Sequence, residues 1–147
     1  MSSSPAEQKP VKIRVNSSIR NGDSKETFEL TTFGRYYQKD DSFYLQYEEV
    51  MEEGTIKSIV KVSEKETLIL RSGAIKMRMV FQMYKKLKGR YETPFGTMEV
   101  ITHTNRLAHT FNEDSKKGNL DLLYDLNVQG AHAGTYHLEI HFEEEKQ

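Results

Sequence analysis

His137, Glu139 and His141 stand two residues apart in the run His-Leu-Glu-Ile-His, and all three are metal-ligand types. On a strand such neighbours share a face at ~7 Å, and the outer two lie ~13–14 Å apart. One ion can therefore touch one His–Glu pair but not both histidines, and further ligands would have to come from another strand. The chain has no cysteine, which excludes disulfides, thiolate zinc sites and a cysteine nucleophile. A solvated polar face is the simpler reading, so no metal and no other cofactor is expected. His109 is a lone histidine on an apolar face, between Leu107 and Phe111. A general base needs partners that the sequence does not locate, and a core or edge histidine is the ordinary case.

Arg71 carries a planar fork that can grip two oxygens of a carboxylate or phosphate. Its parity is opposite to that of Leu68 and Leu70, which predicts an outward side chain paired with a glutamate of a neighbouring strand. Lys85, Lys86, Lys88 and Arg90, flanked by Tyr84 and Tyr91, combine charge with aromatic rings as single-stranded nucleic-acid sites do. The run is short, the chain carries a formal net charge of -1, and the position suggests a solvated hairpin tip, so no nucleic-acid partner is expected. The chain has no P-loop, no Gly-x-Gly-x-x-Gly, no Gly-x-Ser-x-Gly and no His-Glu-x-x-His.

The elements that must position these groups are strands. Val11, Ile13 and Val15 alternate with polar residues, as do Phe28 and Leu30; Phe43, Leu45 and Tyr47; Ile56, Ser58, Val60 and Val62; Leu107, His109 and Phe111; Leu120 to Val128; and Tyr136 to Phe142. Alternation means one buried face. Turn signals separate the runs at Asn21-Gly22-Asp23, Lys39-Asp40-Asp41, Glu53-Gly54, Ser63-Glu64-Lys65, Lys117-Gly118-Asn119 and Gly130 to Gly134. Short connections favour antiparallel neighbours. Gly34, inside Phe33-Gly34-Arg35-Tyr36-Tyr37, is expected to mark a bulge or sharp coil. Ile75, Met77, Met79, Phe81 and Met83 alternate as a strand, yet Ile75, Met79, Met83 and Leu87 also fit a helical face.

A chain of 147 residues suits one domain, and 36% hydrophobic with 29% charged residues is polar without being of the disordered type. Residues 1–10 are expected to be a disordered lead and residues 11–147 one domain. The first ten residues hold no apolar run, so neither a signal peptide nor a membrane anchor is expected, and the cytoplasm is the default location. The fold class is all-β: one antiparallel, largely up-and-down barrel of eight to ten strands.

Val60-Lys61-Val62-Ser63-Glu64, Leu70 to Met77, Tyr91-Glu92-Thr93-Pro94-Phe95-Gly96 and Leu122-Leu123-Tyr124-Asp125-Leu126 together resemble the YwiB-like family of small bacterial proteins. The resemblance spans roughly residues 11–143 and rests on short patterns, none of them catalytic. It implies a calycin-like (lipocalin-like) β-barrel of unknown function, and it favours strand for residues 75–84. Lipocalins carry a Gly-x-Trp near the first strand, and this chain has no tryptophan, so lipocalin function is not carried over.

A calycin barrel holds one small ligand or fills with side chains. By parity Tyr47, Ser58, Ser72, Thr102, His109, Tyr124 and Tyr136 face inward, with Met77, Met79 and Met83 as an adaptable wall. The leading expectation is non-enzymatic binding of an apolar, lipid-like small molecule in the lumen, touched by Tyr47, Met77, Met79, Phe81, His109 and Tyr124. The alternatives are a filled barrel acting as a structural or protein-interaction module, and an enzyme with polar residues at one mouth.

Overall fold

Serial alternation commits nearly the whole chain to extended backbone, and each short turn returns it beside the strand just left. The computed structural model describes residues 7–145. Ten strands run in order: β1 (Lys9–Asn21), β2 (Ser24–Lys39), β3 (Ser42–Met51), β4 (Gly54–Val62), β5 (Thr67–Gly73), β6 (Lys76–Phe81), β7 (Lys86–Thr93), β8 (Gly96–Asn112), β9 (Lys117–Val128) and β10 (Ala131–Glu144). Each pairs antiparallel with its sequence neighbours, and β1 pairs with β10, which closes the barrel. The all-β, up-and-down barrel read from the sequence is thus observed. Of the expected disordered lead, residues 1–6 lie outside the described residues, while Lys9 and Pro10 already belong to β1.

In such a meander the turns alternate between two mouths. We call upper the mouth bearing the β1–β2, β3–β4, β5–β6, β7–β8 and β9–β10 turns, and lower the other. The β9–β10 turn is a two-residue reversal with Gln129 at φ 51° and Gly130 at φ 84°. Both central residues are left-handed, as the twist of a tight hairpin demands.

The inward face is mostly apolar, with Ser58, Thr67, Thr102 and Thr104 as buried polar exceptions. Ile13, Leu45, Ile56, Val60, Phe81, Leu122 and Ile140 are fully buried. Near the lower mouth Tyr36 stacks on Phe111 and on Phe142, each at 5.3 Å between ring centroids. Met77, Met79 and Phe81 alternate inward on β6, so residues 76–81 form a strand and not a helix. Met83 leaves the strand, touches β8 through a single bridge to Thr104 and is exposed, so it lines no wall.

Three local expectations are corrected. Gly34 is not a bulge: β1 and β2 pair without a register shift from Lys9–Tyr36 to Asn21–Ser24. Glycine is needed there because a Cβ would run into the Gln46 carbonyl oxygen and lie 2.8 Å from Ile13 Cδ1. The bulges fall between Thr104 and Arg106 and between His132 and Gly134. Lys117-Gly118-Asn119 is no turn; the chain reverses at residues 113–116, and Gly118 is a strand residue whose absent side chain makes room for the Phe142 ring. The basic segment is no hairpin tip: Lys86, Lys88 and Arg90 lie on β7 with exposed side chains, and only Lys85 belongs to the connection.

Candidate functional site

Parity along β5 decides where Arg71 lies. Thr67, Ile69 and Arg71 share a face, because Ser58 pairs with Arg71, Arg71 with Met77 and Ile69 with Met79, and Ser58 and Met79 are buried. Arg71 therefore points to the lumen, while Leu68 and Leu70 lie on the outer wall and Ser72 is exposed. The sequence assigned these residues the other way round. Leu68-Ile69-Leu70 is apolar on both faces and carries no alternation to read.

Arg71 meets Glu49, an inward residue of β3, with Nη2 donating to Oε2 at 3.4 Å. Side-chain exposures of 31% and 26% place the pair in the upper mouth, between bulk water and the core. The partner is a strand glutamate, as expected; the face is not. A fork with five N–H donors makes one long side-chain hydrogen bond here among the described residues.

Three hydroxyl-bearing side chains, Tyr47, Ser58 and Tyr124, lie near Arg71, and a fourth, Tyr136, stacks on Tyr124. Tyr47 is buried on β3 and pairs in register with Ser58. Burial raises the Tyr47 phenol pKa, against which the Arg71 charge and the nearby Ser58 hydroxyl act. Ser58 is 1% exposed, and its Oγ lies outside hydrogen-bond geometry with any described group. Tyr124 is raised well above the ordinary tyrosine value by burial and by Tyr136, with Arg71 again opposing. Its ring stacks on Tyr136 at 5.3 Å and meets Phe81 edge-on at 4.7 Å. Tyr136 is raised by partial burial and by the Glu26 carboxylate. These phenols are neutral at pH 7 and can both donate and accept.

The wall beside this cluster is incomplete. Strands β2 and β3 pair from Lys39–Ser42 only as far as Gly34–Tyr47, and one further link, the Thr32 hydroxyl donating to the Glu48 carbonyl at 3.3 Å, closes the seam. Above it, Ser24 to Thr31 pair with β1 alone and Glu49 to Met51 with β4 alone. Phe28, inward by register with Ser17, is 54% exposed across this opening. A groove of about 720 Å³ follows the seam on the outside, with Phe33, Tyr47, Val50 and Ser58 among its lining.

The six residues singled out in the sequence all face inward, but they divide between the mouths. Tyr47, Met77, Met79 and Tyr124 belong to the upper half, and Phe81 seals its floor. His109 stands apart, exposed at the lower mouth and edge-on to Phe43 at 5.7 Å. His109 and Tyr47 lie toward opposite mouths, with the buried apolar core of the barrel between them. Arg71 and Glu49 were missed as interior residues; the register of Arg71 against Ser58 is the signal that finds them.

The outer polar face of β8, β9 and β10 is a network. His137 Nε2 lies 2.8 Å from Asp121, 3.1 Å from Arg106 and 3.6 Å from Glu139. His141 reaches Asn119 and Glu139. Among the described residues no three His, Asp or Glu side chains converge as metal ligands. No helix among them is long and apolar enough to cross a membrane.

A family model described as a domain of unknown function (DUF1934) matches residues 13–140. The uncharacterized beta-barrel protein YwiB of Bacillus subtilis (strain 168) is 34% identical over 137 residues, covering 93% of this chain and 95% of YwiB. The crystal structure of the ywiB protein from Bacillus subtilis superposes with a TM-score of 0.86 at 33% identity, over 96% of each chain.

Proposed function

From the premise that the chain belongs to the DUF1934 family of β-barrel proteins, we propose that it is a non-enzymatic binder of a small apolar acid, held in the upper half of the barrel. The observation that carries this reading is the Arg71–Glu49 pair inside the mouth. Taking two charges partly out of water costs more than their attraction returns unless other groups satisfy them. An acid in the mouth gives Arg71 the bidentate partner that Glu49 does not. The buried Ser58 hydroxyl and the Tyr47 phenol opposite it stand beside Arg71 to orient the head group. Met77 and Met79 give the apolar body an adaptable wall. His109 plays no part in this site, and the chain keeps a cytoplasmic assignment as part of the proposal.

A thermal-shift screen of fatty acids and aromatic acids tests the reading. A true ligand at a hundred times its Kd adds about 2.7 kcal/mol of stability. Arg71→Gln should remove the preference for an acid over its matching alcohol. The reading fails if no acid shifts the wild-type protein, or if the paired change Arg71→Met with Glu49→Leu binds the same acids equally well.

The packed lower half favours a second reading, a filled barrel whose outer wall meets another protein. Phe81, Leu122 and Ile140, all fully buried, put large apolar side chains into the middle of the lumen. A failed ligand screen, together with higher stability of the paired apolar variant, selects this reading.

A further inference from the structure

Strands β6 and β7 pair over three residues only, Lys76–Glu92, Met77–Tyr91 and Arg78–Arg90. Met77 faces inward, so Arg78 and Arg90 are direct cross-strand neighbours on the outer wall. Like charges in that position repel. Among the described residues neither arginine has a carboxylate within ion-pair distance, whereas Lys88 beside them reaches Glu99 at 3.9 Å. Below Arg78 the two strands part. Gly89 marks the pinch, since a Cβ there would run into the Arg78 carbonyl oxygen. A groove of about 510 Å³ opens at this point, lined by Arg78, Lys88, Gly89, Arg90, Thr97 and Glu99. Three cations thus face one carboxylate, in a chain whose formal net charge is -1.

We propose that this groove binds the phosphate group of a small phosphorylated ligand. Two guanidinium forks side by side, with Cβ atoms ~4.5–5.5 Å apart, can engage several oxygens of one phosphate or diphosphate. A phosphate dianion balances the local charge, which a single carboxylate leaves in surplus. Thr97 and Glu99 at the rim accept hydrogen bonds from hydroxyl groups, which suits a phosphate ester of a polyol. The site lies on the wall outside the lumen and does not depend on what the mouth holds.

Calorimetric titration at about 50 mM salt, where phosphate contacts are strongest, uses three probes: pyrophosphate, ribose 5-phosphate and a single-stranded oligonucleotide. The first two should bind, and Arg78→Gln with Arg90→Gln should weaken them by about tenfold or more. Lys12→Gln with Arg14→Gln, on the β1 outer wall, should change nothing. An equal loss in that control, or binding of the oligonucleotide alone, overturns the proposal. Circular dichroism confirms that each variant is folded. Without ligand, Arg78→Gln, whose direct cross-strand neighbours are Leu70 and Arg90, should raise Tm, by an amount that shrinks as salt rises. A lower Tm means that the arginines already have partners, and that also overturns the site.

Discussion

At the scale of single residues, environment separates groups of the same type. Asp125 accepts a hydrogen bond from the Thr135 hydroxyl at 2.6 Å, which holds its pKa below the ordinary carboxylate value against the opposing effect of burial, with Asn105 and His132 adding to the lowering. A lowered folded-state pKa contributes stability above the unfolded value of about 3.9, and that contribution is lost as pH falls through the folded value. Thr135→Val should therefore move the Asp125 titration upward in an NMR pH series; an unmoved titration refutes the assigned cause. Histidines differ likewise. His137 is held by Asp121 and Arg106, so His137→Ala should cost about 0.5–1.5 kcal/mol. His141 is more exposed, and His141→Ala should stay within about 0.5 kcal/mol. Inside, Phe81→Ala should cost about 3–5 kcal/mol and Leu122→Ala about 2–5 kcal/mol. Chemical denaturation ranks all four, and a neutral Leu122→Ala contradicts the inward face of β9. That face was legible in the sequence, because Leu120, Leu122, Tyr124, Leu126 and Val128 keep one parity while Asp121, Asp125 and Asn127 hold the other. Arg71 was not legible, because its strand is apolar on both sides and only pairing with β4 fixes which side is in.

At the scale of strands, the sequence revealed which segments extend but not how closely they approach. Gly34 and Gly118 both read as local punctuation, a bulge and a turn. Both are instead places where another part of the barrel occupies the space of a side chain. That requirement comes from residues distant in sequence, Gln46 and Phe142, so no local pattern announces it. The two sites should respond differently to a methyl group. At Gly118 the obstacle is a ring that can tilt within its aromatic cluster. At Gly34 it is backbone, and β2 and β3 must separate to admit it. Overpacking costs about 1–3 kcal/mol in general, and Gly34→Ala should lie nearer the upper end than Gly118→Ala. Denaturant midpoints decide the order, and the reverse order would mean that the β2–β3 seam yields more easily than the stacked rings. The short β6–β7 pairing is equally silent in sequence. The basic run suggested a loop, whereas strand pairing spreads it along one wall and sets Arg90 opposite Arg78.

At the scale of the whole molecule, nine of the ten strand pairings join sequence neighbours, and the tenth joins β1 to β10. Val11 lies opposite Glu144, a separation of 144 − 11 = 133 residues. The meander was readable from short turns, but closure was only implied, since nothing in β1 names β10 as its partner. The difference has a kinetic side. Hairpins form over short chain distances in ~1–10 μs. Bringing β1 to β10 carries the largest loop-closure entropy in the fold, which grows with the logarithm of the span. The ring should therefore close last, after a curled open sheet has assembled from its hairpins. Mutations at the closing seam, such as Ile13→Ala or Ile140→Ala, should mainly speed unfolding and leave the folding rate little changed, whereas Leu122→Ala between β8 and β10 should slow folding as well. Stopped-flow chevrons distinguish the two patterns, and a large folding-limb shift for Ile13→Ala would mean that closure precedes the hairpins. Until that last zipper forms, β1 and β10 both present bare backbone edges. The barrel's exposure to misassembly with its own kind is thus concentrated in the interval between curling and closing.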